Sequence, residues 1–90
     1  GEKVAPKEVE NALVHIPGVK EVAVIGVPDE IFGQAVKAFV VPEQGAELTE
    51  KLILTEAKAR LEAFMVPKYV QIVPDLPKTT TGKIKKTDLR

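Results

Sequence analysis

The chain has no cysteine and no tryptophan among its 90 residues, and only 4% of them are aromatic. The lack of cysteine excludes a disulfide scaffold, a thiol nucleophile and a thiolate metal site. The scarcity of aromatic residues counts against a nucleic-acid module, which needs several stacking side chains. Cysteine-free proteins are compatible with a reducing compartment, so we expect a cytoplasmic protein.

Long apolar runs are also missing. No run approaches the ~20 residues that cross a membrane, and residues 1–6 lack the basic-then-apolar order of a signal peptide. We therefore expect no membrane span. Ninety residues suffice for one small domain, and because the first residue is Gly1 we expect a piece of a longer protein.

The formal net charge is zero, but the charges are unevenly distributed. Residues 1–77 contain 8 basic and 12 acidic residues, whereas residues 78–90 contain 5 basic residues and a single acidic one. A positive field confined to one end favours an anionic ligand there over a nucleic acid spread across a face.

The spacing of apolar residues predicts two helices and three strands. A helix over residues 6–16 begins with Pro6, whose missing N–H is tolerated in the first turn. Thr49 is the predicted N-cap of a second helix that runs to about Leu61 or Phe64. Valine-rich segments predict strands, the first of them buried on both faces; the strands cover residues 19–27, 35–41 and 69–73.

These elements predict a small α+β domain. The sheet is three-stranded, mostly antiparallel and flanked by helices, because the short connection over residues 28–34 favours an antiparallel pair. A polar loop that holds Lys83 follows the third strand. Residues 85–90 are long enough for one helical turn, which would need packing to be stable.

The loop over residues 77–84 is the most informative segment. Pro77 restricts it, three threonines follow, and Gly82, which can adopt a positive φ, precedes Lys83. Such a loop sets a lysine at a defined place, where it could reach a phosphate or a carboxylate; composition alone leaves a solvated turn as the alternative. It is not a P-loop, because Pro77 and Ile84 replace the first glycine and the hydroxyl that holds magnesium.

Other candidate residues favour structural roles. His15 lies on the polar side of the first helix without a second ligand, so we expect a surface histidine and no metal site. We expect Phe39 and Tyr69 to be packing residues. Glu10 is interpreted as a solvated helix charge.

Four segments, in order, resemble the adenylate-forming enzymes, which are acyl-CoA synthetases, luciferases and the adenylation domains of peptide synthetases. Residues 76–84 resemble their final core motif, and residues 1–10 resemble the segment that opens their small C-terminal domain. Residues 24–41 are similar to the central hairpin, and residues 65–70 to the stretch before the last strand. The resemblance identifies residues 1–90 as the mobile C-terminal domain of such an enzyme.

The resemblance implies a role for the loop. In this family an N-terminal adenylation domain of the same chain binds ATP, Mg²⁺ and a carboxylic acid and forms an acyl-adenylate. By motif, Lys83 is the catalytic lysine that stabilises the charge developing at the α-phosphate. Thr81 and Gly82 would support the loop. Lys86 stands where arginine is common, so it keeps the charge without the planar fork.

The resemblance also implies a CoA tunnel. Gly1 and Glu2 match the Gly-Gly-Glu loop that lines it, and Phe32 and Phe64 match positions at which some synthetases contact CoA. From the residues alone, Phe32 is either a core plug or a ligand contact. Val66 replaces a basic residue of at least one relative, which argues against a charge contact to CoA at that point.

The expected function is therefore that of an ATP-dependent acyl-CoA synthetase, with this piece inactive alone. A peptide-synthetase adenylation domain is the alternative, disfavoured by the Thr-rich ending, and a non-enzymatic module that holds a polyanion with its basic tail is a third. The segment around Lys83 also resembles substrates of bacterial lysine acetyltransferases, which would remove its charge.

Overall fold

A computed structural model describes residues 5–29, 31, 33–85 and 89, and only the backbone of Asp29, Gly33, Gln34 and Phe64. Within these residues the chain forms two helices, three strands and one 3₁₀ turn; they are α1 (Pro6–Val14), β1 (Val19–Asp29), β2 (Gly33–Pro42), α2 (Glu50–Arg60), the turn Ala63–Met65 and β3 (Tyr69–Ile72). The predicted helical turn over residues 85–90 lies mostly outside the described residues.

The strands form one sheet in the order β1-β2-β3. β1 and β2 are antiparallel, in register from Val19↔Pro42 to Asp29↔Gly33. β2 and β3 are parallel, because α2 lies between them and carries the chain back to the start of the sheet. The prediction of an α+β domain with a mostly antiparallel sheet is thus confirmed, and the shorter β2–β3 pair makes the sheet mixed.

The connection between β1 and β2 is shorter than predicted. Pro28 pairs with Gln34 and Asp29 pairs with Gly33, so only residues 30–32 separate the strands. Proline within β1 suggested a loop, but β1 is an edge strand, where proline is tolerated in a sheet.

Helix boundaries follow local signals closely. The Thr49 side chain accepts a hydrogen bond from the Leu52 N–H at 3.1 Å, which confirms the predicted N-cap of α2. α1 begins at Pro6 as predicted but ends at Val14, two residues early. α2 ends at Arg60, one residue before the earlier of its two predicted ends, and the chain then makes the 3₁₀ turn.

Both faces of the sheet are covered. On one face α1 and α2 pack against the alternate strand residues that point toward them, and we call this layer the helix-side core; its buried members include Leu13, Val24, Val40, Ile53 and Val70. On the other face the segment after β3 packs on the sheet and forms the loop-side core; its buried members are Ala23, Phe39, Val41 and Leu76.

The two aromatic residues differ in burial. Phe39 is buried in the loop-side core, which confirms its predicted packing role. Tyr69 is 42% exposed, so the prediction that it packs was wrong. Tyr69 is the first residue of β3 and pairs with Lys37 on β2. It therefore lies on the same face of the sheet as the loop-side core but beyond the buried members of that core.

Glu10 joins α1 to the sheet. Its Oε2 accepts a hydrogen bond from the Val24 N–H at 2.8 Å. The prediction of a solvated charge was therefore wrong, because the backbone N–H on the outer edge of β1 needs an acceptor and the helix supplies one. Such a donor left without a partner in a part-buried site is costly.

We expect Glu10→Ala to lower the free energy of unfolding by about 1–3 kcal/mol, because the Val24 N–H loses its acceptor. The exposed Glu8 on the same helix supplies a matched control, and Glu8→Ala should cost no more than about 0.5 kcal/mol. Urea denaturation of the 90-residue chain measures both. Equal losses for the two variants would contradict a specific role for this hydrogen bond.

Candidate functional site

Residues 77–85 form a tight hairpin, here called the lysine hairpin. Its arms meet in an antiparallel bridge between Lys78 and Ile84. Inside the bridge, the Thr79 N–H donates to the Lys83 carbonyl at 2.7 Å. The hairpin therefore fixes the backbone of the candidate lysine at the base of a three-residue loop.

Gly82 closes this loop with a φ of +86°. Its N–H donates to the Thr79 carbonyl at 2.9 Å, the pattern of a β-turn followed by a left-handed residue. A Cβ built at Gly82 would meet nothing within 4 Å, so the backbone conformation and not lack of space requires glycine here. The predicted positive φ before Lys83 is confirmed.

Two threonine hydroxyls brace the hairpin. The Oγ1 atoms of Thr79 and Thr81 are 2.9 Å apart, within hydrogen-bond distance. Thr79 Oγ1 also accepts from the Lys83 N–H at 3.3 Å. Thr81 was predicted as a supporting residue, whereas Thr79 was missed, although threonine side chains that bond nearby backbone groups are a known turn signal.

The hairpin is held to the sheet through its neighbouring apolar residues. Ile84 is half-buried against the loop-side core, in which Leu76 is buried. Because successive side chains of an extended segment point to opposite sides, Lys83 faces away from the sheet. Lys83 is exposed, and in the described part of the chain no hydrogen bond or ion pair engages its ammonium group.

Lys78 has a different environment. Its Nζ lies 2.8 Å from Oε2 and 3.0 Å from Oε1 of Glu21 on β1, and 3.8 Å from Asp75. The hydrogen bond to Glu21 is the main cause that raises the pKa of Lys78 above its usual value; desolvation opposes it, and the charges of Glu21 and Asp75 add to it. Sequence reasoning missed this pair, because 57 residues separate its members.

The other predicted site residues are not brought to the lysine hairpin by what the structure describes. Gly1, Glu2, Phe32 and Lys86 lie outside the described residues. The backbone of Phe64 lies in the 3₁₀ turn Ala63–Met65. Their proposed contacts with CoA or with the loop therefore stay predictions.

Val66, at which we expect no charge contact to CoA, has a structural role. It is half-buried and packs against the helix-side core. A charged side chain at this position would have to leave that contact to stay solvated. Packing accounts for valine here without any contact to CoA.

The described ranges of the chain contain no group of three His, Cys, Asp or Glu side chains close enough to hold a metal ion. His15 is exposed, as predicted, and its Nδ1 donates to the Asn11 carbonyl. No described helix is long and apolar enough to cross a membrane.

Comparison with known proteins places this geometry in a family. The sequence model of one protein family, the AMP-binding enzyme C-terminal domain, matches residues 8–83. A peroxisomal trans-cinnamate:CoA ligase of Petunia hybrida is 44% identical over 90 residues, which are 100% of this chain and 16% of that protein. The chain therefore belongs to the family of AMP-binding enzyme C-terminal domains, and it has the fold of that domain in acyl-CoA synthetases.

Solved structures agree with this assignment. A fatty acyl CoA synthetase of Mycobacterium tuberculosis superposes with a TM-score of 0.91 at 44% identity, over 100% of this chain and 18% of that one. The amide bond synthetase McbA of Marinactinospora thermotolerans gives a TM-score of 0.90 at 36% identity, over 97% of this chain and 18% of that one. The chain thus spans less than a fifth of the length of these relatives.

We expect Gly82→Ala to disturb the lysine hairpin specifically, because alanine pays roughly 1–2 kcal/mol in the left-handed region. Gly45 is a matched control, since its φ is +83° and its surroundings are equally open. Both variants should lose similar stability, but only Gly82→Ala should shift the amide NMR signals of Thr79 and Lys83. Unchanged hairpin signals in Gly82→Ala would contradict this prediction.

Proposed function

We propose that residues 1–90 are the mobile C-terminal domain of an ATP-dependent acyl-CoA synthetase. Such an enzyme converts a carboxylic acid, ATP and CoA into acyl-CoA, AMP and pyrophosphate. The relatives are much longer than this chain, which supports an N-terminal adenylation domain in the same polypeptide. The observation that best supports this proposal is that a domain of this family presents an exposed lysine on a hairpin fixed by hydrogen bonds and apolar contacts.

Lys83 is the proposed catalytic residue for adenylation. Its ammonium would lie between the attacking carboxylate and the α-phosphate, where negative charge develops during in-line attack. A cation fixed in advance stabilises that charge without reorganising in the transition state. The neighbouring Lys78 is less suited to the role, because its ammonium group already forms an ion pair with the Glu21 carboxylate.

The supporting residues of the hairpin have smaller roles. The Thr81 hydroxyl and the backbone of Gly82 would keep the loop closed while Lys83 meets the nucleotide. Lys86 is proposed to add a positive charge close to the same phosphates, as the arginine common at this position would. The concentration of basic residues after position 77 favours an anionic ligand on this side.

Most contacts to the nucleotide would come from the missing part of the enzyme. The described residues offer a cation for the phosphates but no cluster of carboxylates for Mg²⁺, so we place Mg²⁺ and most ATP contacts in the N-terminal domain. The acid would also bind there. Lys83 of this domain would then act in the adenylation step, whereas the N-terminal domain would determine which acid is activated.

CoA is the proposed acceptor in the second half-reaction. After adenylation the domain would rotate, and Gly1, Glu2, Phe32 and Phe64 would contribute to the CoA tunnel. The names of two relatives, a CoA ligase and a CoA synthetase, support this choice. The likeness to an amide bond synthetase makes an amine the alternative acceptor. Product analysis with CoA and with amines distinguishes the two acceptors.

We expect Lys83→Ala in the full-length enzyme to slow adenylation by about 10²–10³-fold, the cost of losing one preorganised donor. Thioester formation from supplied acyl-adenylate should be spared, because the lysine acts only in the first step. Pyrophosphate exchange and single-turnover thioester assays measure the two half-reactions.

Lys58→Ala is the control for Lys83→Ala, because Lys58 is exposed on α2 away from the lysine hairpin. It should leave both half-reactions unchanged. The 90-residue chain alone should not form acyl-adenylate. An equal loss of both half-reactions in Lys83→Ala, or adenylation by the 90-residue chain, would overturn the assignment.

Lys83 is also the proposed target of a lysine acetyltransferase in the cytoplasm. Transfer of an acetyl group needs a neutral amine, and Lys83 is exposed while Glu21 holds Lys78 as an ammonium ion. We expect a bacterial acetyltransferase with acetyl-CoA to modify Lys83 in preference to Lys78 and to reduce adenylation, because the charge is lost. Peptide mass spectrometry measures both sites, and no modification, or equal modification, would refute the prediction.

A further inference from the structure

The contact between Glu21 and Lys78 links parts of the chain that are far apart in sequence. Glu21 lies on β1 and Lys78 on the first arm of the lysine hairpin, 57 residues later. Both carboxylate oxygens lie within 3.0 Å of the ammonium nitrogen. The glutamate side chain is 22% exposed and the lysine side chain 36% exposed, so the pair sits at the edge of the packed sheet and not in free solvent.

The ion pair of Lys78 also restrains the backbone of Lys83, because both residues belong to the same hairpin. Lys78 is bridged to Ile84, the residue that follows Lys83. Ile84 packs on the loop-side core, so one arm is held by apolar contact and the other by the ion pair. Without the ion pair, the hairpin would be held to the sheet by its apolar contacts alone, so it could pivot about them and its internal hydrogen bonds would open more often.

We propose that Glu21 is a positioning residue for adenylation, acting through Lys78 to fix the direction in which Lys83 projects. This role rests on the proposed function of Lys83. A second consequence follows from the same contact. Glu21 pairs with Lys78 on the first arm, so of these two lysines it is Lys83 whose ammonium group is available to an anion.

The expected size of the effect is small and specific. Partly exposed ion pairs contribute little to stability, so their loss should change the adenylation kcat by about two- to fivefold and not abolish it. In Glu21→Gln the KM for ATP should stay unchanged or fall, because Lys78 released from Glu21 adds positive charge near the phosphates. A merely structural loss would instead impair both half-reactions together.

The experiment compares Glu21→Gln, Lys78→Met and Lys78→Arg in the full-length enzyme. Glu21→Gln and Lys78→Met should each lower the adenylation kcat by about two- to fivefold, with thioester formation from supplied acyl-adenylate unchanged. Lys78→Arg, which keeps the cation and can bind both oxygens of Glu21, should restore most of the rate. Lys83→Ala is measured in parallel as the test of the proposed function.

Glu56→Gln supplies a matched control. Glu56 forms an ion pair with Arg60 at 3.1 Å on α2, with both side chains 35% exposed, so the variant breaks a comparable pair away from the hairpin. It should leave the rates unchanged. In the 90-residue chain, hydrogen exchange of the Lys83 amide should accelerate in Glu21→Gln and not in Glu56→Gln.

The outcomes separate the two proposals. If Lys83→Ala slows adenylation by about 10²–10³-fold while Glu21→Gln leaves its kcat unchanged, the positioning role is wrong and the proposed function stands. If Lys83→Ala is as active as the parent enzyme, both fail. A kcat loss in Glu21→Gln that Lys78→Arg does not reproduce, together with faster amide exchange at Lys83, supports the positioning role.

Discussion

The burial of β2 on both faces is the constraint on which the rest of the domain depends. Val36, Ala38 and Val40 face the helices, whereas Phe39 and Val41 face the segment after β3. An apolar strand of this kind cannot leave either face to water without a large cost. The helices satisfy one face, and the chain that carries the lysine hairpin must satisfy the other, so the proposed catalytic loop is placed by the same burial that folds the domain.

Local signals in the sequence predicted local structure well. The Thr49 cap, the start of α1 at Pro6 and the positive φ of Gly82 each depend on a few neighbouring residues and were all found. The strand positions followed from apolar patterning, since two buried faces require continuous apolar runs. Pro28 misled the boundary of β1, because only the strand order reveals that β1 is an edge strand.

Interactions between distant residues could not be predicted in the same way. Glu10 contacts the Val24 backbone and Glu21 contacts Lys78, and nothing in the neighbouring sequence selects either partner. Lys83 was predicted as a site residue from the sequence of its loop and from the family resemblance. Its difference from Lys78 came from the folded structure, since both are lysines in one polar loop and the sheet brings the Glu21 carboxylate to Lys78.

The hydrogen bond between Glu10 and Val24 has a further consequence for the behaviour of the domain in solution. β1 lies at the edge of the sheet, and exposed edge strands can add a strand from another molecule. Glu10 occupies the Val24 N–H on that edge with a charged side chain. An incoming strand would have to displace this carboxylate to pair with Val24, so the helix closes this point of the edge to another chain.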